Sequence, residues 1–121
     1  MALPSYHPAN EARVCVSTTS LGTSPVAAYI SSPCRGIVTK VSLVSQGTIT
    51  SANCTITVAV NGTTNANLGF TLPLAGAAAG QVVSFIPSLT YLQEDDVLTF
   101  TPSGASGSSI GGVFTLSLKA Q

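Results

Sequence analysis

Apolar and polar side chains alternate without a break over Cys54–Val60. Cys54, Ile56, Val58 and Val60 fall on one side, and Thr55, Thr57 and Ala59 on the other. Successive side chains of a pleated backbone point to opposite faces, so this period of two predicts a half-buried strand. Asn61-Gly62 follows at once. Both residues tolerate the positive φ of a tight hairpin turn, so the chain is expected to reverse there. Upstream, Ile37–Ser45 reads as another strand, with Val41 and Leu43 on one face and Lys40, Ser42 and Val44 on the other; the polar link Gln46–Asn53 joins the two. The stretch Gly36–Thr63 thus specifies an antiparallel sheet, and the rest of the chain is read around it.

Further strands are expected at Arg13–Thr19, Val26–Ser31, Leu68–Leu74, Gln81–Pro87 with Ser88–Glu94 after it, Asp96–Thr101 and Ile110–Lys119, where Phe114, Leu116 and Leu118 are in phase. Gly22 and Pro25, Ser32-Pro33, the polar run Thr63–Asn67 and the Gly/Ser-rich Pro102–Ser109 punctuate them as turns and loops. Ala75–Gly80 (AGAAAG) is rich in the best helix former but too short to hold a helix, so it predicts at most a single turn. It also lacks the Lys and Ser/Thr that close a phosphate loop. About eight strands with short turns fit a two-sheet sandwich, either a jelly roll or an immunoglobulin-like Greek key. The chain has no Trp and no even set of cysteines, which favours the jelly roll: an all-β, jelly-roll-like antiparallel β-sandwich.

Composition changes the picture in one respect. The 121 residues suffice for one domain with a two-layer core, and 45% are hydrophobic, yet only 7% are charged, against about 25% in ordinary soluble domains. A mean hydropathy of +0.47 and the regular alternation argue against disorder. A surface poor in Lys and Glu suits contact with other protein, because desolvating a charge costs more than desolvating Thr, Ser or Ala. The net charge is zero, and the basic residues Arg13, Arg35, Lys40 and Lys119 are scattered, a poor supply for neutralising phosphates; nucleic acid is not an expected partner. No apolar run reaches the length of a membrane helix, so no membrane partner is expected either. Residues 1–12 (MALPSYHPANEA) lack an apolar leader core, which predicts synthesis in a cytoplasm. Pro4 and Pro8 favour an extended backbone, with Tyr6 and His7 between them as a contact point. Two readings of this segment stand open, a disordered tail and an arm that docks on a neighbouring subunit. The domain division is accordingly an arm over 1–12 and a single sandwich over 13–121.

Cys15, Cys34 and Cys54 cannot all pair within the chain. Without a leader they read as reduced thiols acting as small core hydrophobes, Cys54 being in phase with Ile56; a Cys15–Cys34 bridge stays open. Candidate chemistry is thin. Glu94-Asp95-Asp96 is the only carboxylate cluster, and three consecutive residues cannot all point at one ion, so a solvated turn is favoured over a Ca²⁺ loop. A hydrolase needs two acids facing across a cleft, and Glu11 is the only other one. A nucleophilic triad or zinc site has only His7 to call on. No cofactor, metal or catalytic residue is expected. Tyr6, Tyr29 and Tyr91 offer sugar-stacking rings, although carbohydrate modules lean on Trp.

Three segments carry a resemblance: RGIVTKVSLVSQGTITSANCTITVAVNGT (Arg35–Thr63), TLPLAGAAAGQVVSF (Thr71–Phe85) and LQEDDVLTFTPSGAS (Leu92–Ser106). A strand pair ending in an NG turn, a Pro and Ala/Gly connector, then a D-V-L-T-F strand running into a Gly/Ser loop resembles the small decoration, or cement, proteins of tailed-bacteriophage heads. The likeness spans residues 35–119. It implies a jelly-roll capsid-stabilising protein of the virion that acts as a homodimer or homotrimer. Such a protein binds the outer capsid surface and cements neighbouring major capsid subunits. Pro4, Tyr6, His7, Pro8 and Arg13 would then be contact residues toward the capsid or a sister subunit. The competing reading is a carbohydrate- or receptor-binding β-sandwich of a virion fibre or spike.

Overall fold

The computed structural model describes residues 11–50, 52–73, 79–104 and 109–120. They form ten strands: β1 (Glu11–Thr18), β2 (Ala28–Ser31), β3 (Gly36–Ser45), β4 (Cys54–Val60), β5 (Thr63–Thr64), β6 (Phe70–Leu72), β7 (Val82–Phe85), β8 (Tyr91–Leu92), β9 (Val97–Pro102) and β10 (Gly112–Ala120). Sheet I has the order β1-β10-β3-β7, with β8 also on β3; sheet II has the order β2-β9-β4-β5, with β6 also on β4. Every pairing is antiparallel.

The connectivity is that of one long hairpin rolled up. The outermost strands pair (β1 with β10), then the next (β2 with β9), then β3 with β7, then β4 with β5 and β6. Rolling the ribbon adds the β10–β3 and β9–β4 contacts and drops alternate strands into opposite sheets. This is a jelly roll, as the strand spacing predicts. The expected count of about eight becomes ten because the run expected as a loop after Asn61-Gly62 adds a short strand and the stretch Gln81–Glu94 contributes two. The polar run after Asn61-Gly62 donates Thr63 and Thr64 to β4 before the chain leaves the sheet. On the other side, Pro87 has no N–H to give and separates β7 from β8.

The Asn-Gly turn is as expected, with φ of 51° at Asn61 and 86° at Gly62. Two successive positive φ values make a type I′ turn, whose twist matches that of the flanking strands. β1, by contrast, starts two residues before the expected strand, because Glu11 and Ala12 pair with Lys119 and Leu118.

The core lies where the inward residues of the two sheets meet. Val41 and Leu43 of β3 and Phe114, Leu116 and Leu118 of β10 face Ile56 and Val58 of β4 and Leu98 and Phe100 of β9, all essentially without solvent exposure. Burying each of these side chains contributes about 1.5–3 kcal/mol. At the centre the Phe114 ring of sheet I stacks on the Phe100 ring of sheet II, with centroids 4.7 Å apart and planes 11° apart. Phe70 meets Phe114 edge-on at 6.4 Å, and Phe85 closes the row at 5.3 Å from Phe70. Among the described residues, no buried side-chain nitrogen or oxygen lacks a hydrogen-bond partner.

Candidate interaction surface

The expected contact residues Pro4, Tyr6, His7 and Pro8 lie outside the described residues, as does most of Ala75–Gly80. Arg13 stands on the outer face of sheet I and forms an ion pair with Glu11, two residues away, its Nη2 lying 2.7 Å from Oε1. An exposed pair of this kind contributes about 0–1 kcal/mol, so it dresses the surface more than it holds the fold. The three thiols are free, which removes the Cys15–Cys34 bridge. Cys54 is buried as expected, but Cys15 is exposed on the outward side of β1, opposite Thr115. It is therefore no core residue. Burial pushes the Cys54 thiol up, partly offset by hydrogen bonding from Ser103 and Gly104.

Glu94-Asp95-Asp96 forms the turn into β9. Asp96 uses both carboxylate oxygens locally: Oδ1 accepts from Asn61 Nδ2 at 2.9 Å and Oδ2 from the Gln93 N–H at 2.8 Å. Asn61 Oδ1 in turn accepts from the Val97 N–H at 2.9 Å, so the hairpin turn and the acidic turn brace each other. Backbone bonds between Ser32 and residues 95 and 96 tie in the end of β2. Among the described residues, no three His, Cys, Asp or Glu side chains are grouped to hold a metal ion.

The basic residues look scattered along the chain, and the fold collects them. Glu11 pairs with Lys119, which pairs with Ile37 at the start of β3. Arg13 pairs with Ser117, which pairs with Lys40. Arg35 immediately precedes β3, and the acidic turn sits beside it at the start of β9. All four cations and all four carboxylates therefore fall in one half of the sandwich, with both signs mixed. Residues 18–34, 41–93 and 97–118 carry no charged side chain at all.

The described parts of the β1–β2, β3–β4, β6–β7 and β9–β10 connections lie at the opposite end, and none of these connections contains a charged residue. Backbone hydrogen bonds run between these connections and the strands beside them. Leu21 N–H donates to Ile110 O at 2.7 Å, Gln46 N–H to Gly111 O at 2.9 Å, Ser45 N–H to Gln81 O at 2.9 Å and Ser103 N–H to Thr55 O at 2.9 Å. These bonds lace four connections into one plate. Gly112 lets it close against the core, since a Cβ there would stand 2.7 Å from Leu21 Cδ1 and 2.8 Å from Leu43 Cδ1. What faces solvent is chiefly small and hydroxylic, including Thr19, Thr48, Thr50, Ala52 and Ser109.

The outer face of sheet II continues this character. Cross-strand neighbours there are Tyr29 with Thr99, Thr57 with Thr101, and Thr55 with Thr71. A shallow groove of about 310 Å³ runs beside β4, lined by Thr55, Thr57, Thr64, Asn65, Phe70 and Thr71 among others. Tyr29 and Tyr91 do not converge on it as stacking platforms: Tyr29 projects from sheet II and Tyr91 from sheet I. The sequence pattern did not expose this surface, because the uncharged segments become one plate only through the rolled topology.

Two solved structures share the fold over nearly the whole chain. One belongs to the acidic stable capsid structure of Helicobacter pylori bacteriophage KHP30, with a TM-score of 0.56 and 18% identity over 88% of this chain and 90% of that one. The other belongs to the Cyanophage Pam1 capsid asymmetric unit, with a TM-score of 0.52 and 18% identity over 100% of this chain and 93% of that one. No protein-family model and no curated protein matches the sequence.

Proposed function

We propose that this chain is a structural protein of a bacteriophage virion and, more finely, a decoration protein. It binds the outer surface of an assembled head, cements neighbouring major capsid subunits, acts as a homo-oligomer and is made in the host cytoplasm. The observation that carries the reading is the segregation of charge. A jelly roll whose loop plate and one sheet face hold no charged side chain can be covered by protein at small desolvation cost, while its charged end keeps the free molecule soluble. The two capsid structures with the same fold support it. The work is binding rather than turnover: a clamp that fits only a site formed between assembled subunits stabilises the assembly by linkage. Many copies of modest individual strength act together.

The test is co-sedimentation of the purified protein with undecorated heads of the phage that encodes it, followed by thermal challenge of the particles. A carboxylate buried without a partner costs several kcal/mol, so placing two in the plate (Thr48→Glu with Ala52→Glu) is expected to weaken binding by about 100-fold or more. Gln93→Glu at the charged end is expected to leave binding unchanged. Both variants keep the wild-type melting temperature, since all three positions are exposed. Loss of binding with Gln93→Glu but not with the plate variant refutes the assignment of the contact face.

A further inference from the structure

Seven large apolar side chains are strongly exposed among the described residues, and four of them fall within ten residues on one edge of sheet I: Val82 (55%), Ile86 (80%), Leu89 (65%) and Tyr91 (59%). They follow the β7–β8 edge, where the chain bulges off β3 between the Val41–Phe85 and Ile37–Tyr91 pairs. The bulge is held from below: Thr90 O accepts from the Val38 N–H at 2.9 Å and Thr90 Oγ1 donates to Ser88 O at 2.8 Å. Its apolar side chains are thus presented on a fixed backbone. Exposed apolar side chains strung along an open sheet edge in this way mark a contact site.

The register shows what is placed to cover it. Glu11, Lys119, Ile37 and Tyr91 form a single cross-strand row over sheet I. β1 therefore begins, at Glu11, on the same level as Tyr91 but at the opposite edge of sheet I. Residues 1–10 hold Leu3, Pro4, Tyr6 and Pro8 and no Lys, Arg, Asp or Glu. Two prolines make the segment a poor ladder partner but a good extended ligand for an apolar, ring-bearing strip. A donor on one edge and its acceptor on the other is a head-to-tail arrangement. Copies set side by side bring the start of one β1 next to the Tyr91 of the following copy. Within one molecule the segment would first have to cross three inter-strand steps, about 14 Å, over the Lys119 and Ile37 side chains.

We propose that residues 1–10 of one copy dock on the Ile86–Tyr91 strip of the next, making a heterologous, head-to-tail contact between copies. Fully extended, ten residues reach about 33 Å, more than enough to lie along the strip from Tyr91 to Val82. The contact needs no capsid and stands apart from the head-binding reading.

Three measurements on the full chain test it. Its mass in solution is expected to exceed that of the protomer and to rise with concentration. Deleting residues 1–10, or introducing Ile86→Ser with Leu89→Ser, is expected to raise the dissociation constant at least about tenfold, with circular dichroism and melting temperature preserved. A photo-crosslinking amino acid in place of Tyr6 is expected to mark residues 82–91 of a different chain; an equimolar mix of isotopically light and heavy protein separates that result from marking within one chain. Intramolecular marking, marking elsewhere, or a wild-type monomer at millimolar concentration overturns the proposal. A monomer that still binds heads overturns this contact and the homo-oligomer of the proposed function but leaves head binding in place, whereas an oligomer that ignores heads does the reverse.

Discussion

Replacing Phe114 by alanine measures how the two sheets are held together. Phe114 is fully buried, stacks on Phe100 across the sandwich at 4.7 Å and meets Phe70 edge-on at 6.4 Å. Truncating a buried Phe costs about 3–5 kcal/mol. Two lost ring contacts, each worth about 0.5–1.5 kcal/mol beyond area, place this site at or above the top of that range. Phe85 is the internal control: it is half-buried at the sheet edge and touches one ring, at 5.3 Å, so Phe85→Ala is expected to cost about half as much. Urea unfolding followed by circular dichroism reads both. The midpoint for Phe114→Ala is expected to lie at least about 1 M below that for Phe85→Ala, with an unchanged slope. Phe114→Leu, which keeps much of the volume, provides a folded variant with a loss of about 1–2 kcal/mol should the alanine variant not fold. Equal losses at Phe114 and Phe85 would show that the rings do not join the sheets at the centre, and a core organised around the Phe100–Phe114 stack would be ruled out.

Other substitutions probe the ends of the sandwich. Asn61→Ala removes the bonds to Asp96 and the Val97 N–H and places alanine at a φ of 51°; a loss of about 1.5–3 kcal/mol is expected in the same urea assay. Gly112→Val drives a side chain into Leu21 and Leu43, and overpacking of this kind costs about 1–3 kcal/mol, read as a lower melting temperature. For the thiols, a native-state titration with an aromatic disulfide reagent should label exposed Cys15 within minutes and buried Cys54 only on unfolding. Since folding raises the Cys54 thiol above its unfolded value, its contribution is complete below about pH 8.5 and is lost as pH rises through the raised folded value. Stability should therefore fall more steeply above about pH 8.5 in the wild type than in Cys54→Ala.

The parts of the fold legible in the sequence were those fixed by neighbours along the chain. The alternation of Cys54–Val60 marks β4 because one of its faces is wet and the other dry, and Asn61-Gly62 marks the turn because few residue pairs accept two positive φ values. Jelly-roll connectivity was reached through strand spacing and the missing Trp. What escaped depended on pairing at a distance. Glu11 and Ala12 look like tail until Lys119 and Leu118 are seen to pair with them. Cys15 looks like core by residue type, yet the β1 register turns it outward. The four cations look scattered because their sequence separations are large, although rolled antiparallel strands bring both chain ends and the start of β3 to one place. The uncharged plate escaped for the same reason: four connections spread over the chain meet only once the ribbon is rolled.

That plate also predicts how binding should respond to salt. An interface steered by opposite charges loses affinity steeply as ions screen it, since the screening length falls from about 10 Å at 0.1 M to about 3 Å at 1 M. A plate of Thr, Ser, Gly and Ala has no charge to screen, and the association it drives rests on excluded water and close fit. Small hydroxylic side chains release little free energy individually, so one copy should hold weakly and an ordered set of sites firmly. Occupancy on heads is thus expected to change less than about twofold between 0.1 M and 0.5 M NaCl, and to rise slightly in sulfate, which strengthens apolar association. The charged end offers the contrast. If that end carried the contact, its mixed cations and carboxylates would make occupancy fall with salt, and Arg35→Ala or Lys40→Ala would lower it at every ionic strength. A steep loss of bound protein by 0.5 M NaCl would therefore reverse the proposed orientation of the molecule on a capsid.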